Sequence, residues 1–157
     1  GVVFRDLTPL LLRPELTSEI IDAMAEPFKD TRIDAICAIE SRGFLYGMLL
    51  AHRLQVPFLP VRKKGKLPGE TVAFTYDLEY GSATVEVHLE DVQSGWNILV
   101  HDDLLATGGT AAAATELMRM RGADVAGFSF ITELTFLGGR KRLEQYSTNI
   151  ISLAIFD

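Results

Sequence analysis

Two adjacent carboxylates, Asp102 and Asp103, stand between an apolar strand-like run and a short loop of small residues that leads into a helical segment. The loop, residues 106–110, reads Ala-Thr-Gly-Gly-Thr. Glycines let backbone N–H groups approach a ligand closely, and the N-terminus of a helix adds unpaired donors and a favourable dipole. The pattern is typical of a phosphate-binding loop, although it lacks the lysine of a Walker loop.

Carboxylates beside a phosphate site would repel the phosphate unless the ligand also offers hydroxyl groups or a metal ion. A sugar phosphate meets that condition, with its vicinal hydroxyls on Asp102 and Asp103 and its 5-phosphate on the loop. The phosphate-binding residues would be Ala106, Thr107, Gly108, Gly109 and Thr110. From the residue types alone, a solvated turn with two capping acids explains the stretch equally well.

The composition limits the kinds of partner. The chain has 157 residues, 48% of them hydrophobic, and a formal net charge of −6, so we expect neither a nucleic-acid nor a membrane partner bound through bulk charge. Apolar runs stay below the roughly 18 residues of a membrane span, and no signal peptide is visible. A single cysteine, Cys37, favours a reducing compartment, the cytoplasm.

Strand-like apolar runs alternate with helical patterns along the chain, which predicts an α/β fold with a central, mostly parallel sheet flanked by helices. Residues 71–81 and 83–90 alternate in polarity and predict a hairpin. We expect one domain over residues 1–157. The unusual segments Glu-Ser-Arg-Gly-Phe (40–44), the basic stretch from residue 62 and the aspartate pair all follow strands, where such sheets bind ligands.

Five blocks of the sequence resemble, in order, those of the adenine phosphoribosyltransferases, a family of type I phosphoribosyltransferases. The blocks are "GVVFRDLTPLL", "ESRGFLYG", "VRKKGKLPGET", "YDLEYG" and "VHDDLLATGGT". The resemblance implies the type I fold with a mobile hairpin loop over the active site. It also implies transfer of ribosyl 5-phosphate from phosphoribosyl pyrophosphate to N9 of adenine, giving AMP and pyrophosphate for purine salvage. It further implies Mg²⁺, carried mainly by the substrate, and a homodimer.

The resemblance also assigns roles to residues of this chain. Glu79 and Tyr80 lie on the mobile loop, and Glu79 is the general acid/base for the N9 proton. Pyrophosphate is assigned to Ser41, Arg42, Arg62 and Lys66, although a solvated loop would explain the basic stretch in isolation. The adenine site is assigned to Val3, Phe4, Arg5 and Leu104. The peptide bond between Glu40 and Ser41 is expected to be cis.

Two features depart from the family pattern. His101 stands where an aliphatic residue is usual, either as a tolerated core substitution or as a modifier of the electrostatics beside Asp102. Residues that precede "GVVFRD" in the family help to cover the base pocket, and we expect such a segment to be missing here. The rival functions are a phosphoribosyltransferase for another nucleobase and a non-catalytic sensor of phosphoribosyl pyrophosphate. One cysteine and three scattered histidines give a zinc or redox protein no support.

Overall fold

The computed structural model describes residues 6–157, which form a seven-stranded sheet with helices on both faces. The strands are β1 (Ala35–Ile39), β2 (Phe58–Lys63), β3 (Thr71–Asp77), β4 (Ser82–His88), β5 (Asn97–Leu105), β6 (Asp124–Leu134) and β7 (Ile150–Phe156). The helices are α1 (Pro14–Ala25), α2 (Gly43–Leu54), α3 (Gly109–Met120) and the short α4 (Gly139–Leu143).

The strand order is β3-β4-β2-β1-β5-β6-β7. The five strands from β2 to β7 in this order run parallel, whereas β4 is antiparallel to β2 and β3 to β4. The predicted mostly parallel sheet and the predicted hairpin are therefore both confirmed. Within the described part of the chain, no helix is long and apolar enough to cross a membrane.

Strand β1 shows why the sheet is covered on both faces. All five of its residues are buried, and successive side chains point to opposite faces. Ala35, Cys37 and Ile39 pack with the α3 side of the core, while Ile36 packs with α1 and α2. Burial of one such aliphatic side chain contributes about 1.5–3 kcal/mol, which favours a central position for this strand.

Two glycines let α2 lie close against the sheet. A Cβ atom at Gly47 would be 2.6 Å from the Cβ of Ala38 in β1. A Cβ atom at Gly43, the first residue of α2, would be 2.9 Å from Oδ1 of Asp102 in β5. The sequence therefore places the N-terminus of α2 beside the aspartate pair.

The structure differs from the sequence-based expectations at several element ends. The sequence pattern predicts a strand over residues 96–102, but β5 continues to Leu105, so Asp103 lies within the strand as well as Asp102. Pairing with β6 extends through Leu105 and Glu133, which holds this end of β5 extended. Strand β2 ends at Lys63, inside the stretch expected to be a basic loop. The apolar spacing of residues 15–29 predicts a single helix, but α1 ends at Ala25 and a 3-10 turn that contains Pro27 follows.

Candidate active site

Two neighbouring cavities open at the carboxyl ends of the parallel strands and share a wall. The larger has a volume of about 420 Å³ and is lined by Glu40, Ser41, Arg42, Lys63, Lys66, Asp102 and Asp103. The smaller, of about 190 Å³, extends from the same Arg42 and aspartates along the loop of residues 106–110. The shared wall is therefore Arg42, Asp102 and Asp103.

An ion pair joins the two elements that meet at this wall. Nε of Arg42, directly before α2, lies 2.9 Å from Oδ2 of Asp103 in β5. The side chain of Asp103 is 7% exposed and that of Arg42 37%, so the buried carboxylate holds a guanidinium that faces the cavities. The backbone N–H of Asp103 donates to Oδ1 of Asp102 at 2.8 Å. The wall shared by the two cavities thus presents two carboxylates and one guanidinium cation.

The two carboxylates affect one another. Burial raises the pKa of Asp102 well above its ordinary value, and the charge of Asp103 raises it further. The hydrogen bond from the Asp103 backbone and the charge of Arg42 act in the opposite direction. Two adjacent carboxylates, of which Asp103 is buried, favour a ligand that supplies hydroxyl donors or positive charge at this point.

The loop after β5 has the geometry of an anion site. Gly108 caps α3 in the left-handed region, with φ of 74°, and no side chain caps the helix. The N–H groups of the first helical turn have no acceptor within the helix. Since Thr107, Gly109 and Thr110 line the smaller cavity beside these donors, the loop can cradle a phosphate group.

A half-buried ion pair between α4 and β6 lies next to this loop. Arg140 in α4 donates from Nε to Glu133 of β6 at 2.9 Å and from Nη1 to the carbonyl of Ile150 at 2.9 Å. Glu133 is buried. The neighbouring Gly139 lies against the loop, because a Cβ atom at Gly108 would be 2.9 Å from the Gly139 carbonyl oxygen. No pattern in the sequence predicts this contact between α4 and the loop.

On the opposite side of the shared wall, the cavity is basic. The peptide bond between Glu40 and Ser41 is cis, as predicted. Lys63 and Lys66 line the cavity, whereas Arg62 does not. Nε of Arg62 donates to Glu40 at 3.1 Å, and its Nη1 donates to the Lys66 carbonyl at 3.2 Å. Arg62 therefore supports the cavity wall, and Lys63 takes a place that the sequence analysis did not assign to it.

The β3–β4 hairpin contacts the phosphate loop through the end of β3 that is next to the turn. The hydroxyl of Tyr76 lies 3.0 Å from Oγ1 of Thr110, a hydrogen bond between β3 and α3. Glu79 and Tyr80 lie in the turn beyond it, fully outside both cavity walls, and the side chain of Tyr80 is 87% exposed. The structure does not bring these two predicted residues to the rest of the site.

The predicted base-binding residues fall in two places. Val3, Phe4 and Arg5 lie outside the described residues. Leu104 lies in β5 and lines the smaller cavity, next to the shared wall. A small apolar recess beside Arg42 and Asp103 is lined by Leu7, Leu11 and Leu45 among others, so apolar surface adjoins the carboxylate pair.

His101 is a buried core residue. Its side chain is inaccessible to solvent, and Nδ1 lies 2.9 Å from the carbonyl oxygen of Ser129, which makes Nδ1 the protonated nitrogen. Burial lowers the pKa of His101 to about 4, and the Ser129 carbonyl offsets part of that effect. The imidazole is therefore neutral at physiological pH and adds no positive charge beside Asp102.

Metal binding by protein side chains alone has little support in the described residues. Within residues 6–157, no three His, Cys, Asp or Glu side chains are grouped so that they could hold a metal ion. The aspartate pair offers oxygen donors of the kind that Mg²⁺ prefers, but Asp103 already pairs with Arg42.

Known proteins share both the sequence and this architecture. The family model "Phosphoribosyl transferase domain" matches residues 10–151. The adenine phosphoribosyltransferase of Dinoroseobacter shibae is 48% identical over 157 residues, which cover 100% of this chain and 88% of the relative. A crystal structure of the Thermoanaerobacter pseudethanolicus adenine phosphoribosyltransferase matches with a TM-score of 0.95 and 46% identity, covering 99% of this chain and 90% of that one.

A third match includes ligands. The Saccharomyces cerevisiae adenine phosphoribosyltransferase, complexed with an iminoaltritol bisphosphate and adenine, matches with a TM-score of 0.89 and 43% identity. The alignment covers 98% of this chain and 88% of the yeast chain. These similarities span the strands, the loop of residues 106–110 and the basic side of the larger cavity. The chain belongs to the adenine phosphoribosyltransferases, within the phosphoribosyl transferase domain family.

Proposed function

We propose that this chain converts adenine and phosphoribosyl pyrophosphate to AMP and pyrophosphate, a purine salvage reaction. One observation carries the proposal: a cavity lined by lysines and a cavity lined by the loop of residues 106–110 adjoin at a pair of carboxylates. Phosphoribosyl pyrophosphate has the same order of groups, with a 5-phosphate at one end, ribose hydroxyls in the middle and pyrophosphate at the other end.

The sugar phosphate half occupies the smaller cavity in this proposal. The 5-phosphate accepts hydrogen bonds from the loop of residues 106–110 and from the first turn of α3. The ribose hydroxyls donate to the carboxylates of Asp102 and Asp103. As the glycosidic bond breaks, positive charge develops on the ribose, and the nearby carboxylates stabilise it.

The pyrophosphate half occupies the larger cavity. Ser41, Arg42 and Lys66 bind it, and Lys63 is a further candidate because it lines the same wall. Arg62 acts indirectly here, since its guanidinium is held by Glu40 and by the Lys66 carbonyl. The cations offset the negative charge on the departing pyrophosphate.

Glu79 is the proposed acid/base. In the reaction, N9 of adenine forms a bond to C1 of the ribose, the bond from C1 to pyrophosphate breaks, and the N9 proton passes to the Glu79 carboxylate. The hairpin must close for Glu79 and Tyr80 to reach the site, and closure would exclude water from the activated sugar. The hydrogen bond between Tyr76 and Thr110 supports this role, because it places the turn end of the hairpin beside the phosphate loop.

Adenine is proposed to bind next to the carboxylate pair, against Leu104. The other assigned residues, Val3, Phe4 and Arg5, remain predictions. Apolar surface from Leu7 and Leu11, on the segment that follows them, supports a base site at this position.

Mg²⁺ is proposed to arrive with phosphoribosyl pyrophosphate. The metal neutralises phosphate charge, and Asp102 is the side chain best placed to contribute an oxygen donor. The carboxylates at this wall support the proposal. Asp103 is paired with Arg42, so only Asp102 is left to contribute an oxygen, and most of the metal's ligands would come from the substrate.

A homodimer and a cytoplasmic location are also proposals. Leu45, Met48 and Leu49 form an apolar stripe on the outer face of α2, with 44%, 50% and 40% of each residue exposed. A second copy of the chain would cover this stripe, and Met48→Asp should shift the sedimentation of the protein towards a monomer. The free, buried Cys37 supports a reducing compartment.

The role of Glu79 is tested by Glu79→Gln, with Glu90→Gln as the control for loss of an exposed carboxylate. We expect turnover to fall about a hundredfold or more, in the range of general acid–base catalysis, while the Kd for AMP stays unchanged. An equal loss of turnover and of AMP binding would make Glu79 a binding residue instead.

A further inference from the structure

Glu86 is a buried carboxylate in β4 that takes no direct part in the proposed reaction. The residue is 3% exposed, and its neighbours Val85 and Val87 are buried as well. Its carboxylate is directed at the loop that connects β2 to β3, the same loop that brings Lys66 to the larger cavity.

Three consecutive backbone N–H groups converge on one oxygen of this carboxylate. Oε1 of Glu86 accepts from Gly65 at 3.0 Å, from Lys66 at 3.1 Å and from Leu67 at 3.0 Å. Oε2 accepts from the hydroxyl of Thr71 at 3.2 Å. Gly65 has φ of 88°, the left-handed conformation that turns successive N–H groups towards one anion.

The charge state of Glu86 agrees with this arrangement. Burial alone would raise its pKa, but the hydrogen bonds from Leu67, Thr71, Gly65 and Lys66 outweigh burial, and the net effect is a lowered pKa. The carboxylate is therefore ionised at neutral pH and accepts all four bonds. The loop has a further anchor on the same strand, from the N–H of Lys64 to the Thr84 carbonyl at 3.0 Å.

We propose that Glu86 is a positioning residue for the pyrophosphate side of the site: it fixes the backbone of residues 65–67 and so holds Lys66 at the wall of the larger cavity. The cationic side chains of this loop repel one another, and the loop loses conformational entropy when it becomes ordered around an anion. The Glu86 carboxylate, bound to the backbone of the loop, offsets the repulsion and orders the loop before the anion binds, and it leaves the lysine side chains free to contact the anion. The inference rests on the proposed function, since it assigns pyrophosphate to that cavity.

The experiment compares Glu86→Gln and Glu86→Ala with wild type and with Glu70→Gln. Glu70 is an exposed carboxylate at the end of the same loop, so its variant matches the change in charge. Calorimetry measures the Kd for pyrophosphate in the presence of Mg²⁺ and the Kd for AMP, which probes the opposite end of the cleft. A steady-state assay of AMP formation gives the KM for each substrate, and thermal unfolding reports stability.

We expect Glu86→Ala to weaken pyrophosphate binding about tenfold and Glu86→Gln a few-fold, as the loss of preorganisation of the segment that carries Lys66 implies. AMP binding and the KM for adenine should stay within about twofold, and Glu70→Gln should follow wild type. If Glu86→Ala does not fold, Glu86→Gln decides, because its amide oxygen can still accept from the loop.

Unchanged pyrophosphate binding in a folded variant would overturn the inference, and so would an equal loss of AMP and pyrophosphate affinity, which indicates general destabilisation. A wild-type protein that binds pyrophosphate but forms no AMP would refute the proposed function instead. In that case the calorimetric comparison would still decide the role of Glu86.

Discussion

The His101→Val variant should change the pH dependence of stability in a defined window. The folded pKa of His101 is about 4, below the ordinary 6.5, because the ring is buried without access to solvent. Between these two values the unfolded chain binds a proton that the folded chain does not. Stability therefore falls as the pH falls through this window, and it is fully retained above the unfolded pKa.

The size of the effect follows from the shift. A pKa difference of one unit between the folded and unfolded states corresponds to about 1.36 kcal/mol. The full difference, from 6.5 to about 4, therefore changes the free energy of unfolding by about 3 kcal/mol. Between roughly pH 7 and pH 5, the linkage integral predicts that His101 alone costs the wild type about 2 kcal/mol of stability. A valine at this position cannot bind a proton, so the variant lacks the loss of stability that His101 causes on acidification.

The assay is urea unfolding of wild type, His101→Val and His52→Gln at both pH values. His52 is exposed, so its variant is the matched control for loss of a histidine and should follow the wild type. Wild type should lose about 2 kcal/mol more than His101→Val on acidification. Equal losses in these two proteins would refute the reasoning and would mean that the buried ring is charged in the folded state.

Three further variants test the site. Asp102→Asn should weaken binding of ribose 5-phosphate about tenfold or more, the scale of a lost charge-assisted hydrogen bond, without loss of the fold, and calorimetry with circular dichroism checks both. Gly108→Ala should destabilise the protein by about 1–3 kcal/mol, because its φ is 74° and the added Cβ would lie 2.9 Å from the Gly139 carbonyl; thermal unfolding measures this. Tyr76→Phe removes the hydroxyl that contacts Thr110; we expect turnover to fall several-fold while the fold remains, and a turnover equal to wild type would contradict a role for this contact.

The positions of the aspartate pair and of the loop after it could be predicted from the sequence because the elements that hold them follow one another along the chain. A strand, two carboxylates, a glycine-containing loop and a helix N-terminus are all adjacent in sequence. The limits of β5 were harder to predict, because they are set by partner strands. Leu105 remains extended where Glu133 of β6 pairs with it, and nothing near Leu105 in the sequence encodes that pairing.

The basic side of the site illustrates a second limit. Arg62 and Lys63 alternate across β2, so only one of them can point into the cavity. Which one does so depends on the register between β2 and β1 and on Glu40, which holds Arg62. The composition of the stretch predicted a cationic surface but not the choice between neighbours.

The burial of Glu86 could not be predicted from the sequence. It alternates with Val85 and Val87 along β4, a pattern that predicts an exposed carboxylate, yet Glu86 is 3% exposed. The partners themselves could not be predicted, because they are backbone N–H groups from a loop about 20 positions earlier in the chain. Such contacts depend on the hairpin pairing rather than on side-chain identity.

The central claim is the reaction itself, and its most direct test is a product assay. Purified protein, Mg²⁺ and phosphoribosyl pyrophosphate are mixed with equal amounts of adenine, hypoxanthine, guanine, xanthine and orotate, and the nucleotides are separated by chromatography. We predict that AMP is the product, with pyrophosphate released in equal amount. Formation of a different nucleotide, or of none while phosphoribosyl pyrophosphate still binds, would contradict the claim.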